Sequence, residues 1–304
     1  MESLVLPGHE AKKLRVGRIE SCNDQANRQE SPVSPNSTGR SDRLRQIVVI
    51  SSATFAVLGA FIGSGAAGGT PIAEASGGAL AADATLIAPG GPAFAIWTPI
   101  YLGLVGYAIW QALPAQKADV RQRRLGYPVA VSLVLNAFWI LSVQFDLLAL
   151  SVPVIVALLV ALVGIFRLLR RSPPKNFVET ILVDGTMGLY LGWVSVATAA
   201  NIAAVLVTAG FTGFGLNPDV WGVLVIALTG LVGVGLSRYG RGRLAPTAAL
   251  GWGLSWVAVA RLTGPALSIP TAVAATVAVI VIVGVAIRDR VRAVDGSGTG
   301  SDRP

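Results

Sequence analysis

An aromatic and amide stripe lies inside a long apolar segment of the chain. At about 100° per residue in an α-helix, its four residues fall within roughly 80° of one another. They are Tyr190, Trp193, Ala197 and Asn201. Aromatic rings can stack on a flat apolar molecule, and an amide can orient it by hydrogen bonds. Because lipid disfavours an amide side chain, we expect the stripe to face protein or a cavity, as the wall of a pocket.

Two other apolar segments carry related motifs. Phe94, Trp97 and Tyr101 share a helical face within roughly 60°, and Asn136 and Trp139 are neighbours at i, i+3. Three helices therefore present aromatic side chains, and two of them also present an Asn at membrane depth. The simpler interpretation is that the amides hydrogen-bond across helices, which is common in membrane proteins and worth about 1 kcal/mol.

Two carboxylates open the segment that carries the stripe. Glu179 and Asp184 lie within its first two turns, where they can snorkel to the interface or pair with Arg170, Arg171 or Lys175. An intramembrane Asp is a functional candidate by default. The alternative function is therefore a secondary transporter with Asp184 as its proton- or ion-coupling carboxylate.

The composition predicts an all-α polytopic membrane protein. The 304 residues are 53% hydrophobic and 13% charged, whereas a soluble domain carries about a quarter charged residues. The lone Cys22 and lone His9 lie in a polar N-terminal region, which argues against metal sites, covalently held cofactors and His-based catalysis in the membrane. The net charge of +8 resides in short loops, so we predict no nucleic-acid partner.

About eight transmembrane helices are predicted. All 24 Lys and Arg residues except Arg261 then fall on one side, which predicts cytoplasmic termini and location in the inner membrane. The loop 67–91 on the opposite side is rich in Gly, Ala and Pro and is either a lid or a plain linker. The predicted segments are 46–66, 92–113, 127–146, 150–169, 178–208, 219–237, 245–262 and 268–287.

The motifs resemble those of the TspO/translocator protein (peripheral benzodiazepine receptor) family, most closely its bacterial tryptophan-rich sensory branch. The resemblance covers 46–208 and implies a five-helix bundle whose ligand pocket opens toward the first loop. The chain departs from the family at Leu189, where a Pro is usual, and it lacks the sterol pattern after Asn201. The motifs are Phe94-x-x-Trp97-Thr98-x-x-Tyr101, Leu135-Asn136-x-x-Trp139 and Tyr190-Leu191-x-Trp193-x-x-x-Ala197-Thr198-x-x-Asn201.

The resemblance implies a sensor or binding protein for a flat hydrophobic ligand, first of all a porphyrin or haem intermediate, with a regulatory role in stress or tetrapyrrole metabolism. Slow porphyrin degradation is the only enzymatic activity that it suggests. The bilayer is a partner, and a homodimer stays open. The implied ligand-binding residues are Phe94, Trp97, Tyr101, Asn136, Trp139, Tyr190, Trp193, Ala197 and Asn201.

The predicted organisation has four parts. A disordered cytoplasmic tail, 1–45, precedes the ligand-binding bundle of 46–208. Three additional transmembrane helices follow in 209–287, and 288–304 forms a second cytoplasmic tail. A lipid-processing enzyme is the least favoured function, because the chain lacks a cluster of carboxylates or His at the interface.

Overall fold

The computed structural model describes residues 35–72 and 74–298, with side chains for 39–72 and 74–293. This part of the chain is helical and contains no strand, which confirms the predicted all-α class. Eight long helices account for most of it. They are α1 (Pro35–Gly63), α2 (Trp97–Ala112), α3 (Val120–Gln144), α4 (Leu148–Arg171), α5 (Thr186–Thr208), α6 (Pro218–Gly240), α7 (Leu244–Thr263) and α8 (Ile269–Gly298).

Short helical elements precede or connect the long helices. A 3₁₀ turn, Gly91–Ile96, leads into α2, and a π-helix, Thr180–Gly185, leads into α5. The π-helix is preceded by the short helix Phe177–Glu179, which Asn176 caps: its side chain accepts a hydrogen bond from the Glu179 amide at 2.9 Å. The remaining short helices are Ala75–Gly78, Pro114–Lys117, Phe177–Glu179 and Gly213–Gly215.

Seven of the long helices in the described part are long and apolar enough to span a membrane. The exception is α7, so one of the eight predicted spans is not apolar enough by its composition to be counted as a membrane span. Its sequence includes Pro246, Thr247 and Arg261, which lower its hydropathy. Leu250, Leu254 and Val257 are fully buried in α7, so this helix depends on protein neighbours more than on lipid.

The first helix begins upstream of the predicted boundary at residue 46. α1 already includes 35–45, which the sequence assigned to a disordered tail. Arg45 is 1% exposed, and its guanidinium donates to the carbonyls of Gln116 and Lys117 at 3.3 and 3.0 Å. These two hydrogen bonds compensate part of the cost of burying this charge, since Nε and Nη1 of Arg45 have no hydrogen-bond partner among the described residues. α8 likewise continues to Gly298, beyond the predicted limit of 287.

Helix α5 is held between two sides of the bundle. An added Cβ at Gly192 would lie 2.1 Å from the Pro246 carbonyl oxygen of α7, and one at Gly188 would lie 2.9 Å from the ring of the same proline. On another face, α5 packs against α2: a Cβ added at Gly103 of α2 would lie 2.2 Å from the hydroxyl oxygen of Thr186. Small residues at these positions permit the close approach of the backbones.

The apolar residues form two clusters that meet at α5. One cluster is built mainly from α1 to α5, and the other contains buried residues of α5 to α8 such as Val196, Ile226 and Leu254. Residues from Asp42 onward form one compact unit. The predicted boundary at residue 208 therefore falls between two clusters of one body.

Candidate functional site

Trp97 lies at the centre of the predicted aromatic residues. Its ring centroid is 5.3 Å from that of Tyr101 and 6.3 Å from that of Trp139, both in stacked orientation. The rings of Tyr190 and Trp193 meet it edge-on at 5.9 and 6.2 Å. The structure thus brings together the three motifs that were singled out in the sequence.

Phe94 completes this group, because its ring lies edge-on to Trp193 at 5.8 Å. We call the six residues Phe94, Trp97, Tyr101, Trp139, Tyr190 and Trp193 the aromatic cluster. Edge-on and offset arrangements are the favoured ones for aromatic pairs and contribute about 0.5–1.5 kcal/mol each beyond simple burial. The cluster is therefore a stable packing unit even without a ligand.

The 3₁₀ turn that positions the cluster is attached to α7. The Trp252 indole N–H donates to the Ala93 carbonyl at 2.9 Å. The Gly90 amide donates to the Trp256 carbonyl at 3.2 Å. These bonds attach the two tryptophans of α7 to the turn that leads into α2. They also make a C-terminal helix part of the support of the site.

Asn201 links three helices by hydrogen bonds. Its side-chain oxygen accepts from the Trp139 indole at 3.3 Å, and its amide nitrogen donates to the Ser151 hydroxyl of α4 at 2.9 Å. The cross-helix interpretation therefore holds for this residue. Sequence reasoning missed Ser151, whose only signal was a hydroxyl at the start of an otherwise apolar segment.

Asn136 has a different environment. Its amide nitrogen donates to the Tyr101 hydroxyl at 2.7 Å, but its oxygen has no hydrogen-bond partner among the described residues. The Trp193 indole N–H likewise has none. Both side chains are at most 1% exposed. A buried polar atom without a partner costs about 1–3 kcal/mol, so the cluster holds one acceptor and one donor that a bound molecule could satisfy.

Little open space remains beside the cluster. A cavity of about 30 Å³ is bordered by Phe94, Trp139, Ala197 and Asn201. This cavity, here the cluster cavity, has room for roughly one water. The predicted lining residues are therefore assembled, but the described conformation is closed, because the rings pack against one another where a flat ligand would lie.

The cluster cavity is covered by a segment of the long first loop. Residues 79–89, the cover loop, supply the remaining walls through Ala79, Leu80, Thr85, Ala88 and Pro89. The cover loop is hydrogen-bonded to α7: the buried Arg261 guanidinium donates to the carbonyls of Thr85, at 2.8 Å, and Ala82. The isolated basic residue of the sequence thus holds the loop that covers the cluster.

A larger cavity lies against the other side of the cover loop. It measures about 460 Å³ and lies between this loop, the end of α5 and the start of α6. Trp221 lines it, and its indole donates to the Gly213 carbonyl at 2.9 Å. The Trp221 ring also packs edge-on to Phe211 at 5.7 Å. Thr85 borders both this loop-side cavity and the cluster cavity.

Asp184 belongs to an ion-pair network at the opposite end of α5. Its two oxygens contact Arg121 at 2.6 Å and Arg243 at 3.2 Å. Arg121 also pairs with Glu179 at 2.9 Å. Two guanidinium groups thus compensate this buried carboxylate. The coupling role of Asp184 in transport stays a prediction, since this arrangement accounts for the residue as a structural pair.

The predicted partners of these carboxylates were wrong in part. Arg170 and Arg171 form no ion pair with either one in the described chain. Lys175 contacts Glu179 only through its backbone amide, at 2.7 Å, and its ammonium group pairs with Asp119. Burial opposes ionisation of Asp119, but hydrogen bonds, chiefly from Lys175, outweigh it and lower the pKa of this carboxyl.

Comparison with known proteins agrees with this architecture. The family model described as TSPO-like protein matches residues 48–287, which include the three additional helices as well as the five-helix region. Neither the curated proteins nor the solved structures contain a match. The match covers well over half of the chain and all of the aromatic cluster, and the chain therefore belongs to the TSPO-like protein family.

Proposed function

We propose that the protein is a membrane receptor whose aromatic cluster binds a flat hydrophobic molecule. The observation that carries this proposal is the pair of unused polar atoms among stacked rings, the Asn136 oxygen and the Trp193 indole N–H. A ligand that enters between the rings would exchange ring–ring contacts for similar contacts of its own. Its polar groups would then satisfy the acceptor and the donor that the closed state leaves without partners.

A porphyrin or another haem intermediate is the ligand class that we propose. The macrocycle is flat and apolar over its faces, and a protonated carboxylic acid at its edge can donate its O–H to the Asn136 oxygen. A carbonyl or carboxylate at its edge can accept from Trp193. A regulatory role in stress or tetrapyrrole metabolism follows from such binding.

Binding requires a conformational change in this proposal. Pockets for ligands of this size measure about 300–1,000 Å³. The cluster cavity of 30 Å³ is too small, whereas the loop-side cavity of 460 Å³ lies directly across Thr85. Displacement of the cover loop would join the two spaces. The ligand would thereby shift the protein from the closed to the open conformation. A sensor would report the ligand through this shift in population.

The test is a titration of the purified protein with protoporphyrin IX, followed by tryptophan fluorescence. Saturable quenching is expected for the wild type. Trp193→Phe keeps a ring but removes the indole N–H, so its Kd should rise about 3- to 10-fold, the value of one hydrogen bond. Ala197→Trp places an indole larger than the cluster cavity on its wall, so it should block the space that a ligand enters and weaken binding further. Trp110→Phe, the matched control, removes an indole outside the cluster and should leave the Kd unchanged.

Two results would overturn the proposal. One is wild-type protein that shows no saturable quenching. The other is a Kd that is the same in wild type, Trp193→Phe and Ala197→Trp, which would place any binding outside the cluster.

A further inference from the structure

A second polar cavity lies at the other end of the bundle. It measures about 570 Å³ and is bordered by the end of α4, the start of α5, the turn between α6 and α7, and α8. We call it the basic cavity. Four arginines and one carboxylate line it: Arg170, Arg241, Arg243, Arg290 and Asp184.

The turn between α6 and α7 brings three of these arginines together. Arg241 adopts a left-handed conformation at φ 49°, which ends α6. Gly242 follows at φ 78°, and an added Cβ there would lie 2.5 Å from the Arg290 Cα. The turn therefore packs closely against α8 and places Arg241 and Arg243 beside Arg290.

The positive charge of the basic cavity is only partly neutralised by the described residues. Asp184 is shared between Arg243 and Arg121, which lies outside the cavity lining. Arg170, Arg241 and Arg290 have no carboxylate partner in the described part of the chain. In addition, two buried guanidinium nitrogens there have no hydrogen-bond partner, Nε of Arg170 and Nη1 of Arg243.

The start of α7 adds further donors to the same space. Leu244 and Ala245 line the basic cavity, and they are the first two residues of a 20-residue helix. Arg243 occupies the N-cap position and provides no side-chain cap. Amide groups at an uncapped helix start point outward and, together with the helix dipole, favour an anion.

We propose that the basic cavity binds a phosphate group, and that the phosphate belongs to the head group of an anionic membrane lipid. The planar guanidinium fork matches phosphate oxygens, and several Arg residues converge here. The cavity is wide enough for a phosphate with its glycerol group. It also lies at the ends of membrane-spanning helices, where basic pockets recognise lipid head groups. Positive residues near helix ends also set topology, but topology depends on their number and does not require them to converge on one cavity.

The test measures lipid binding to the purified full-length protein by native mass spectrometry. Phosphatidylglycerol should be retained in preference to phosphatidylcholine, which carries a phosphate but no net charge. Arg241→Gln/Arg290→Gln should raise the Kd for phosphatidylglycerol at least about tenfold, because the variant loses two positive charges and their charge-assisted hydrogen bonds to the phosphate. The matched control is Arg238→Gln/Arg292→Gln, which removes two exposed arginines of the same helices outside the cavity and should change the Kd little.

Competition identifies the source of the phosphate. If inorganic phosphate at millimolar concentration leaves the lipid bound, the site is a head-group site; if it displaces the lipid in the wild type, the cavity serves free phosphate and the lipid assignment is wrong. The proposal is overturned if the cavity variant and the control variant lose the same affinity for phosphatidylglycerol. It is also overturned if the wild type does not prefer phosphatidylglycerol to phosphatidylcholine. Arg241→Lys keeps the charge and should give an intermediate Kd. Protoporphyrin quenching should be unchanged in all of these variants, so the two proposals fail separately.

Discussion

At the scale of single residues, the two membrane-depth asparagines have different roles although their sequence contexts look alike. Asn201 uses both ends of its amide, with Trp139 and Ser151. Asn136 uses one end, with Tyr101, and leaves its oxygen without a partner among the described residues. The hydrogen bonds of Asn201 therefore indicate a role in stability, whereas the Asn136 oxygen stays available for the ligand that we propose.

Replacing Asn201 should affect stability. Asn201→Ala leaves the Trp139 indole and the Ser151 hydroxyl without their cross-helix partner, and we expect a loss of about 1–2 kcal/mol in the free energy of unfolding. A double-mutant cycle with Ser151→Ala should give a coupling energy of about 0.6–1.7 kcal/mol, as for other membrane hydrogen bonds. Unfolding in mixed detergent micelles measures both quantities. Additive single-mutant effects would show that the two side chains do not interact.

Asp119 gives a pH-dependent prediction outside the membrane spans. Burial raises the pKa of the Asp119 carboxyl, but hydrogen bonds from Lys175 and the Gln122 amide, together with attraction to the Lys175 charge, hold it below the ordinary value of 3.8. The ion pair therefore contributes stability above about pH 4 and loses it as the pH falls through the folded pKa. Asp119→Asn keeps the cap on the Gln122 amide but lacks the charge. The stability advantage of wild type over this variant should shrink below pH 4; an advantage that does not change with pH would contradict the ion pair.

At the scale of elements, α5 is the helix on which the architecture depends. One face presents Tyr190 and Trp193 to the aromatic cluster, and another face presents Gly188 and Gly192 to α7. The same α7 holds the cover loop through Arg261. A helix outside the predicted five-helix bundle thus supports both the back of the site and its cover.

A small substitution at Gly192 should separate α5 from α7. Gly192→Ala places a methyl group 2.1 Å from the Pro246 carbonyl oxygen, and overpacking of this kind costs about 1–3 kcal/mol. Gly235→Ala is the matched control in α6, because an added Cβ there meets no atom within 4 Å. Thermal unfolding in detergent should show a lower Tm only for the first variant. Equal Tm values would mean that the two helices do not pack as closely as described.

At the scale of the whole molecule, the aromatic cluster and the ion-pair network lie at opposite ends of the bundle. The aromatic cluster, its cover loop and the loop-side cavity share one end of the bundle, with Arg261 as the basic residue of that end. The ion-pair network and the basic cavity occupy the other end. This polarity agrees with the distribution of Lys and Arg in the sequence and with a fixed orientation in the membrane.

The single cysteine provides a direct test of that orientation. Cys22 precedes the described residues, and the sequence predicts that it lies on the cytoplasmic side. A membrane-impermeant maleimide should therefore label it in inside-out vesicles and not in intact spheroplasts. Cys22→Ser/Thr212→Cys moves the thiol to the opposite end and should reverse the pattern. Labelling of wild-type spheroplasts would contradict the predicted topology.

Helical spacing predicted which aromatic side chains share a face of each helix, and the resemblance to the TspO/translocator protein family implied that the three faces meet in one pocket. The sequence could not predict that the site is closed, since that depends on rings from α2, α3 and α5 that occupy the space between them. The sequence also could not predict the arginines that form ion pairs with Asp184. Arg121 is far away in the chain and meets Asp184 only through helix packing.

The apolar segments and their flanking charges thus determined, by themselves, a helical membrane protein and the side chains that share each helical face. These properties are local, because they depend on hydropathy and on the period of one helix. Only the tertiary structure decided that α7 packs against α5, that Arg261 fastens the cover loop, and that four arginines converge on one cavity. Such contacts join residues far apart in the chain, and their geometry is set by how closely the helices pack.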